Sequence, residues 1–170
     1  AGKGVDCTEQ ITYTRPEAEE LVERWSDTVL RIAWTWTGSV HDAQDICQTV
    51  FLKLIERRPA FASSEHEKAW IIRTTINACK DHLKSHWRKT TVPIEAAQHI
   101  PAPAAEPGSI LASVNLLPPK YRAVIYLHYY EGYTAPEIAQ LLGRLPSTVN
   151  TQLRRGREQL KTLLEKEGYP

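Results

Sequence analysis

Residues 134–155 read TAPEIAQLLGRLPSTVNTQLRR, and the fold class is decided by how that stretch is punctuated. Thr134-Ala135-Pro136-Glu137 has the form of a capping box, in which a Thr hydroxyl and a Glu carboxylate satisfy backbone N–H groups at a helix start. Pro136 does no harm in a first turn, whose N–H groups have no intrahelical acceptors. Ile138, Ala139, Leu141 and Leu142 make a short apolar helix, Gly143 stands where a left-handed C-terminal residue is wanted, and Pro146 opens the next helix. The spacing predicts helix, brief turn, helix, the arrangement whose second member enters the major groove of DNA. Along that second helix Val149, Leu153, Gly156, Leu160 and Leu163 form the packing stripe. Ser147, Thr148, Asn150, Thr151, Arg154 and Arg155 fall on its other faces. Arg can hold guanine with two donors, Asn can pair with adenine, and hydroxyls suit phosphates.

Upstream of this unit the same period continues. Leu21, Val22, Trp25, Val29, Ile32 and Trp36 recur at three- and four-residue steps until Gly38. A second helix is predicted from Asp42 to Arg57, with Ala43, Ile46, Val50 and Leu54 inward and Pro59 past its end. A third runs from Glu65 to Arg88, with Ala69, Ile72, Ile76, Cys79 and Leu83 inward, while Arg73, Asn77, Lys80, Lys84 and Arg88 share another face. From Thr90 to Gly108 the period vanishes and Pro93, Pro101, Pro103 and Pro107 appear, the composition of an extended tether. Short helices follow at Ser109–Leu116, Pro119–Tyr130, Ala135–Leu142 and Pro146 to about Glu167, and no stretch alternates like a strand. The expectation is an all-α chain: a tail over 1–16, a helical domain over 17–89, a Pro-rich linker over 90–108 and a helix-turn-helix domain over 109–168.

Composition narrows the function. The net charge of +1 over 170 residues hides basic clusters at Lys80, Lys84, Arg88, Lys89 and at Arg154, Arg155, Arg157, Lys161, against an acidic start with Glu17, Glu19, Glu20 and Glu23. Two basic patches imply two nucleic-acid contacts. Three scattered cysteines, Cys7, Cys47 and Cys79, make no disulfide framework, and no stretch has the length of a membrane span or the apolar core of a signal peptide, so a cytoplasmic chain without membrane insertion is expected.

Together the two helical blocks resemble the extracytoplasmic-function sigma factors of the sigma-70 family, over about Glu17 to Leu164. Asp42-Ala43-Gln44-Asp45-Ile46-Cys47-Gln48-Thr49-Val50-Phe51 is similar to the family's Asp-Ala-Glu-Asp-Leu-x-Gln-Glu-Val-Phe, with Gln44 and Thr49 in place of two carboxylates. The resemblance implies that this helix docks on the clamp helices of the largest catalytic subunit of bacterial core RNA polymerase through Asp42, Asp45, Gln48 and Phe51. Two roles stay open for Phe51, a docking anchor or a filler of the local core. Ala69-Trp70-Ile71-Ile72-Arg73, Asn77 and Asp81-His82-Leu83 resemble the promoter-melting helix. That implies that Asn77 and Asp81 read the minus-ten element while Arg73, Lys80, Lys84 and Arg88 hold its backbone, and that the loop from Phe61 to Glu67 receives a flipped base. The usual arginine run after this helix is thinned to Lys84-Ser85-His86-Trp87-Arg88-Lys89. Leu117-Pro118-Pro119-Lys120-Tyr121-Arg122 and Tyr130-Glu131-Gly132-Tyr133-Thr134 resemble the family's approach to its helix-turn-helix, which puts Ser147, Thr148, Asn150, Thr151, Arg154 and Arg155 at the minus-thirty-five element. Two departures stand in the turn: Arg144 where an apolar residue is usual, and Leu145 at the N-cap, where a polar side chain is preferred.

The partners that follow are core polymerase, promoter DNA as duplex and melted strand, and an anti-sigma factor. An enzyme is not expected, since there is no glycine-rich phosphate loop, nucleophile elbow or repeated cysteine pair. Nor is a cofactor or a metal: His82 and His86 have a ligand spacing, but Leu83 stands where a metalloprotease helix carries Glu. The rival function is a stand-alone helix-turn-helix regulator, which has no use for the Asp42–Arg57 helix or the one after it. A purely protein-binding adaptor leaves both basic patches without a role.

Overall fold

The computed structural model describes residues 13–89 and 109–168, with the side chains of 86–89 left aside; within them lie seven helices and no strand. They are α1 (Arg15–Thr37), α2 (Val40–Arg57), α3 (Ser64–Lys89), α4 (Ile110–Asn115), α5 (Pro119–Tyr129), α6 (Ala135–Leu142) and α7 (Pro146–Lys166). The expected linker and most of the expected tail lie outside the described residues.

Local chemistry explains the boundaries. At the start of α1 the Thr14 backbone N–H donates to Glu17 Oε2 at 2.7 Å, so the helix begins two residues before the expected domain edge at Glu17. Gly38, at φ +67°, ends it with its N–H on the Trp34 carbonyl at 2.8 Å. One residue later Ser39 caps α2 by accepting from the Asp42 N–H at 3.2 Å. Arg58 closes α2 in the left-handed region at φ +41°, a strained place for a side chain, and its guanidinium lies 4.4 Å from the centre of the Tyr13 ring.

Helices α1, α2 and α3 pack around Val29, Ile32, Ala43, Ile46, Val50, Leu54, Ile72, Ile76 and Cys79. Glu67 ties α3 to α1, accepting from Trp25 Nε1 at 2.6 Å and from Arg24 at 3.1 Å. The buried hydroxyls of Thr35 and Thr75 donate to carbonyls one turn back, both at 2.7 Å, so neither is left unmet. In the second half α7 lies across α4, α5 and α6. A Cβ on Gly156 would stand 2.9 Å from Ile125 Cγ1 and 3.3 Å from Tyr121 Cβ, so the α5–α7 crossing needs a glycine.

The halves do not stand apart as separate beads. Helix α1 packs against α5 and α3 against α6, and the buried apolar residues of both halves form one cluster. At this seam Lys68 Nζ of α3 lies 3.2 Å from Glu131 Oε2 and 3.1 Å from the Glu131 carbonyl, over the Tyr133 ring. Glu131 also accepts from the Tyr126 hydroxyl at 2.7 Å, and Tyr126 stacks on Tyr130. Burial, then the neighbouring Glu131 carboxylate, pushes the Tyr126 phenol well up, so it stays a donor.

Candidate nucleic-acid interface and docking helix

The helix-turn-helix forms as its residues require. The Thr134 N–H donates to Glu137 Oε2 at 2.8 Å, and this bond and the Thr134 hydroxyl lower the Glu137 carboxyl below its ordinary range. Gly143 adopts φ +64°. Arg144, the departure in the turn, fills a bridging role. Its N–H donates to the Ala139 carbonyl at 2.9 Å, and its guanidinium reaches Gln152 Oε1 at 2.8 Å, fixing the turn to α7. Leu145 is the N-cap of α7 and gives no side-chain cap.

On α7 the packing face is Val149, Leu153 and Gly156, and the opposite side carries Ser147, Thr148, Asn150, Arg154 and Arg155, all exposed. Thr151 is half-buried, with its hydroxyl donating to the Ser147 carbonyl at 3.0 Å, which leaves only its lone pairs for a ligand. Arg154 keeps a loose exposed ion pair with Glu158 at 3.5 Å. A shallow concavity is lined by Lys120, Ser147, Thr148, Thr151, Gln152 and Arg155, so the first turns of α5 and α7 share it. Two cations, Lys120 and Arg155, beside the hydroxyl-bearing Ser147 and Thr148 make a hollow whose chemistry suits a phosphate. Lys120 lines this hollow although the sequence reading leaves it out of the minus-thirty-five set; the signal is its place beside Pro119, in the first turn of a helix.

Along α3, Arg73, Asn77, Asp81 and Lys84 make one exposed stripe, with Lys80 half-buried beside it. The Arg88 side chain lies outside the described residues. The loop before α3 is shaped by Phe61, whose ring meets His66 and Trp70 edge-on at 5.5 and 5.8 Å. The Ala62 N–H donates to His66 Nδ1 at 3.1 Å, and the His66 N–H to Ser63 Oγ at 3.1 Å. Aromatic faces and a preset turn are what capture of an unstacked base demands.

On α2, Asp45 and Gln48 are exposed and Asp42 half-buried. Of the two roles open to Phe51, its 8 % exposure fits the filler of the local core, because position 51 follows Val50 and Leu54 into the α1–α2–α3 contact. The exposed apolar group is its neighbour Leu52, at 58 %, which shares a face with Asp45 and Gln48 at helical spacing. Cys79 is buried, and burial pushes its thiol up to about 12, an inert group. Among the described residues no helix is long and apolar enough to cross a membrane.

Comparison with known proteins matches both halves. Residues 21–89 fit the model for sigma-70 region 2, and residues 108–160 that for sigma-70 region 4. The chain is similar to the ECF RNA polymerase sigma factor SigE of Mycolicibacterium smegmatis, 30% identical over 89% of this chain and 63% of the relative. It is also similar to the ECF RNA polymerase sigma factor SigW of Bacillus subtilis, 26% identical over 85% of this chain and 87% of the relative. The chain thus spans under two thirds of the mycobacterial relative's length. Among solved structures the fold matches the sigma factor RpoE of Bartonella quintana, in complex with the anti-sigma factor NepR, with a TM-score of 0.71, 20% identity, and 86% of this chain and 96% of that one covered. CnrH, in complex with the cytosolic domain of CnrY, matches with a TM-score of 0.60, 20% identity and 90% of each chain covered.

Proposed function

Since the chain belongs to the sigma-70 family, among its extracytoplasmic-function members, we propose that it directs bacterial core RNA polymerase to promoters and takes part in opening them. The observation that supports this most is the pairing, in one half of the chain, of the α2 face bearing Asp45, Gln48 and Leu52 with the α3 stripe of Arg73, Asn77, Asp81 and Lys84. A stand-alone regulator has no need of either. In this reading α2 docks on the polymerase, with Asp42 and Asp45 supplying charge and Leu52 the apolar anchor. Helix α7 enters the minus-thirty-five major groove, where Asn150, Thr151, Arg154 and Arg155 face base edges and Lys120, Ser147 and Thr148 face phosphates. Helix α3 and the Phe61 loop hold the melted minus-ten strand, Asn77 and Asp81 meeting bases and Arg73, Lys80, Lys84 and Arg88 its backbone. The catalytic chemistry belongs to the polymerase. The work is cytoplasmic, and an anti-sigma factor, the class of partner held by the Bartonella relative, is its natural antagonist.

The packed seam has a consequence for this role. A folded body the size of the described residues, about 140, has a radius of gyration of about 14 Å and is about 37 Å across. Promoter elements centred about 25 base pairs apart are separated by about 85 Å of duplex. The two halves must therefore part at the Lys68–Glu131 seam before both elements are engaged. Transcription from a randomised promoter library with purified core polymerase tests the proposal: enrichment of a two-element consensus supports it, and transcription no greater than core alone defeats it.

A further inference from the structure

Resting on the promoter-reading role above, we propose that Gln152 of α7 holds a DNA phosphate at the minus-thirty-five element and that Arg144, in the turn before α7, is the positioning residue that presents it. Gln152 lines the hollow between α5 and α7 together with Lys120, Ser147, Thr148 and Arg155. Its Oε1 accepts from an Arg144 guanidinium N–H at 2.8 Å, and the same guanidinium nitrogen lies 3.5 Å from the Lys120 carbonyl. One side chain in the turn therefore touches both walls of the hollow.

The chemistry of this pair fixes which atoms are left for DNA. A guanidinium has donors and no acceptor, so the amide atom it meets is the oxygen, and the Gln152 amide is held in one orientation. The group that remains is Nε2 with its two N–H donors. Among the described residues Nε2 makes no hydrogen bond, and it is not sealed from solvent. Two donors beside the cations Lys120 and Arg155 suit a phosphate oxygen, an acceptor that carries charge. The two-bond contact of Gln with adenine needs the amide oxygen and nitrogen side by side on one base, and here the oxygen is engaged. Gln152 therefore adds grip and not base choice. An apolar residue at position 144, the usual type there, would leave the amide free to rotate. Arg144, half-buried and tied by its own N–H to the Ala139 carbonyl at 2.9 Å, removes that freedom before DNA arrives, so less side-chain entropy is lost on binding.

The test measures promoter affinity of core polymerase carrying the full chain, on duplexes in which single minus-thirty-five phosphates are replaced by neutral methylphosphonates. Gln152→Ala should lose about five- to tenfold in affinity, by a similar factor for every minus-thirty-five sequence, and should stop responding to the methylphosphonate at one position where the parent responds. Arg144→Leu should lose a similar factor, and the double variant no more than either alone, since each removes the same contact. Arg144→Leu combined with Gln152→Lys should recover most of the loss and regain the response at that same phosphate, because an ammonium donates without an orienting partner. A turn that had merely come apart would not be rescued in this way. Gln152→Ala binding as tightly as the parent with the same methylphosphonate profile, losses that add in the double variant, or a loss in Arg144→Leu that Gln152→Lys does not recover, overturns the assignment. A parent that forms no promoter complex with core polymerase defeats the promoter-reading role itself.

Discussion

Replacing Lys68 with Ala tests whether the two halves are held by the seam described above. The ammonium lies 3.2 Å from a Glu131 carboxylate whose side chain is 7% exposed, while Lys68 itself is 33% exposed. At an effective dielectric of about 20 the gross attraction is about 5 kcal/mol. Desolvation of the carboxylate offsets part of it, and water reaching Lys68 screens more. A net loss of about 2 kcal/mol is expected, between the values for exposed pairs and for buried pairs broken on one side. That corresponds to about a thirtyfold change in the equilibrium that closes the seam. Urea unfolding is the assay. The variant should show either a single transition weakened by about 2 kcal/mol or two transitions where the parent has one, as the halves uncouple. The comparison variant is Arg15→Ala, which removes an ion pair 2.9 Å long with 90% and 65% of its side chains exposed, and should stay within about 0.5 kcal/mol of the parent. If Lys68→Ala unfolds in one transition no weaker than Arg15→Ala, the seam is not held in this way.

Other consequences are open to direct measurement. Arg155→Ala should cost about 1–3 kcal/mol of promoter affinity and relax preference at one base position; a base preference identical to the parent's would remove that role. Asn77→Ala should slow strand opening, read with permanganate, more than it weakens polymerase association, and equal losses in both would count against a base contact. The lowered Glu137 carboxyl contributes stability that is present above the unfolded range of about 4.3 and is lost as pH falls through the lower folded value. Glu137→Gln should therefore lose less Tm than the parent between about pH 5 and pH 3, and parallel curves would contradict the capping assignment.

Much of this architecture is legible in the residues because helix signals are local. Gly38, Pro59, Gly143 and Pro146 punctuate the chain within a residue or two of the observed ends. Periodicity marks the centre of a buried stripe but not its width, which is set by how many neighbours a helix has. Ile71, Thr75 and Ala78 are buried beyond the expected α3 stripe because α1, α2 and α6 surround that helix, while Leu83 of the α3 stripe and Val22 of the α1 stripe are exposed. Phe51 and Leu52 differ by one position, about 100° around a helix, and only the crossing angle of α2 decides which faces out. The meeting of Lys120 with Arg155 at one hollow, of Lys68 with Glu131 and of His82 with Asp42 is not legible in the sequence. Each joins residues far apart in sequence, across junctions that exist only once the helices pack.

The most direct test is equilibrium association of the purified chain with bacterial core RNA polymerase, beside the double variant Asp45→Lys, Leu52→Ala. Saturable binding by the parent, weakened at least tenfold in a variant that keeps its helical spectrum, is the expected result, since a central interface anchor lost together with a charge reversal costs upwards of about 2 kcal/mol. A parent chain that does not associate with core enzyme, or a variant that binds as well as the parent, would contradict the docking role assigned to α2.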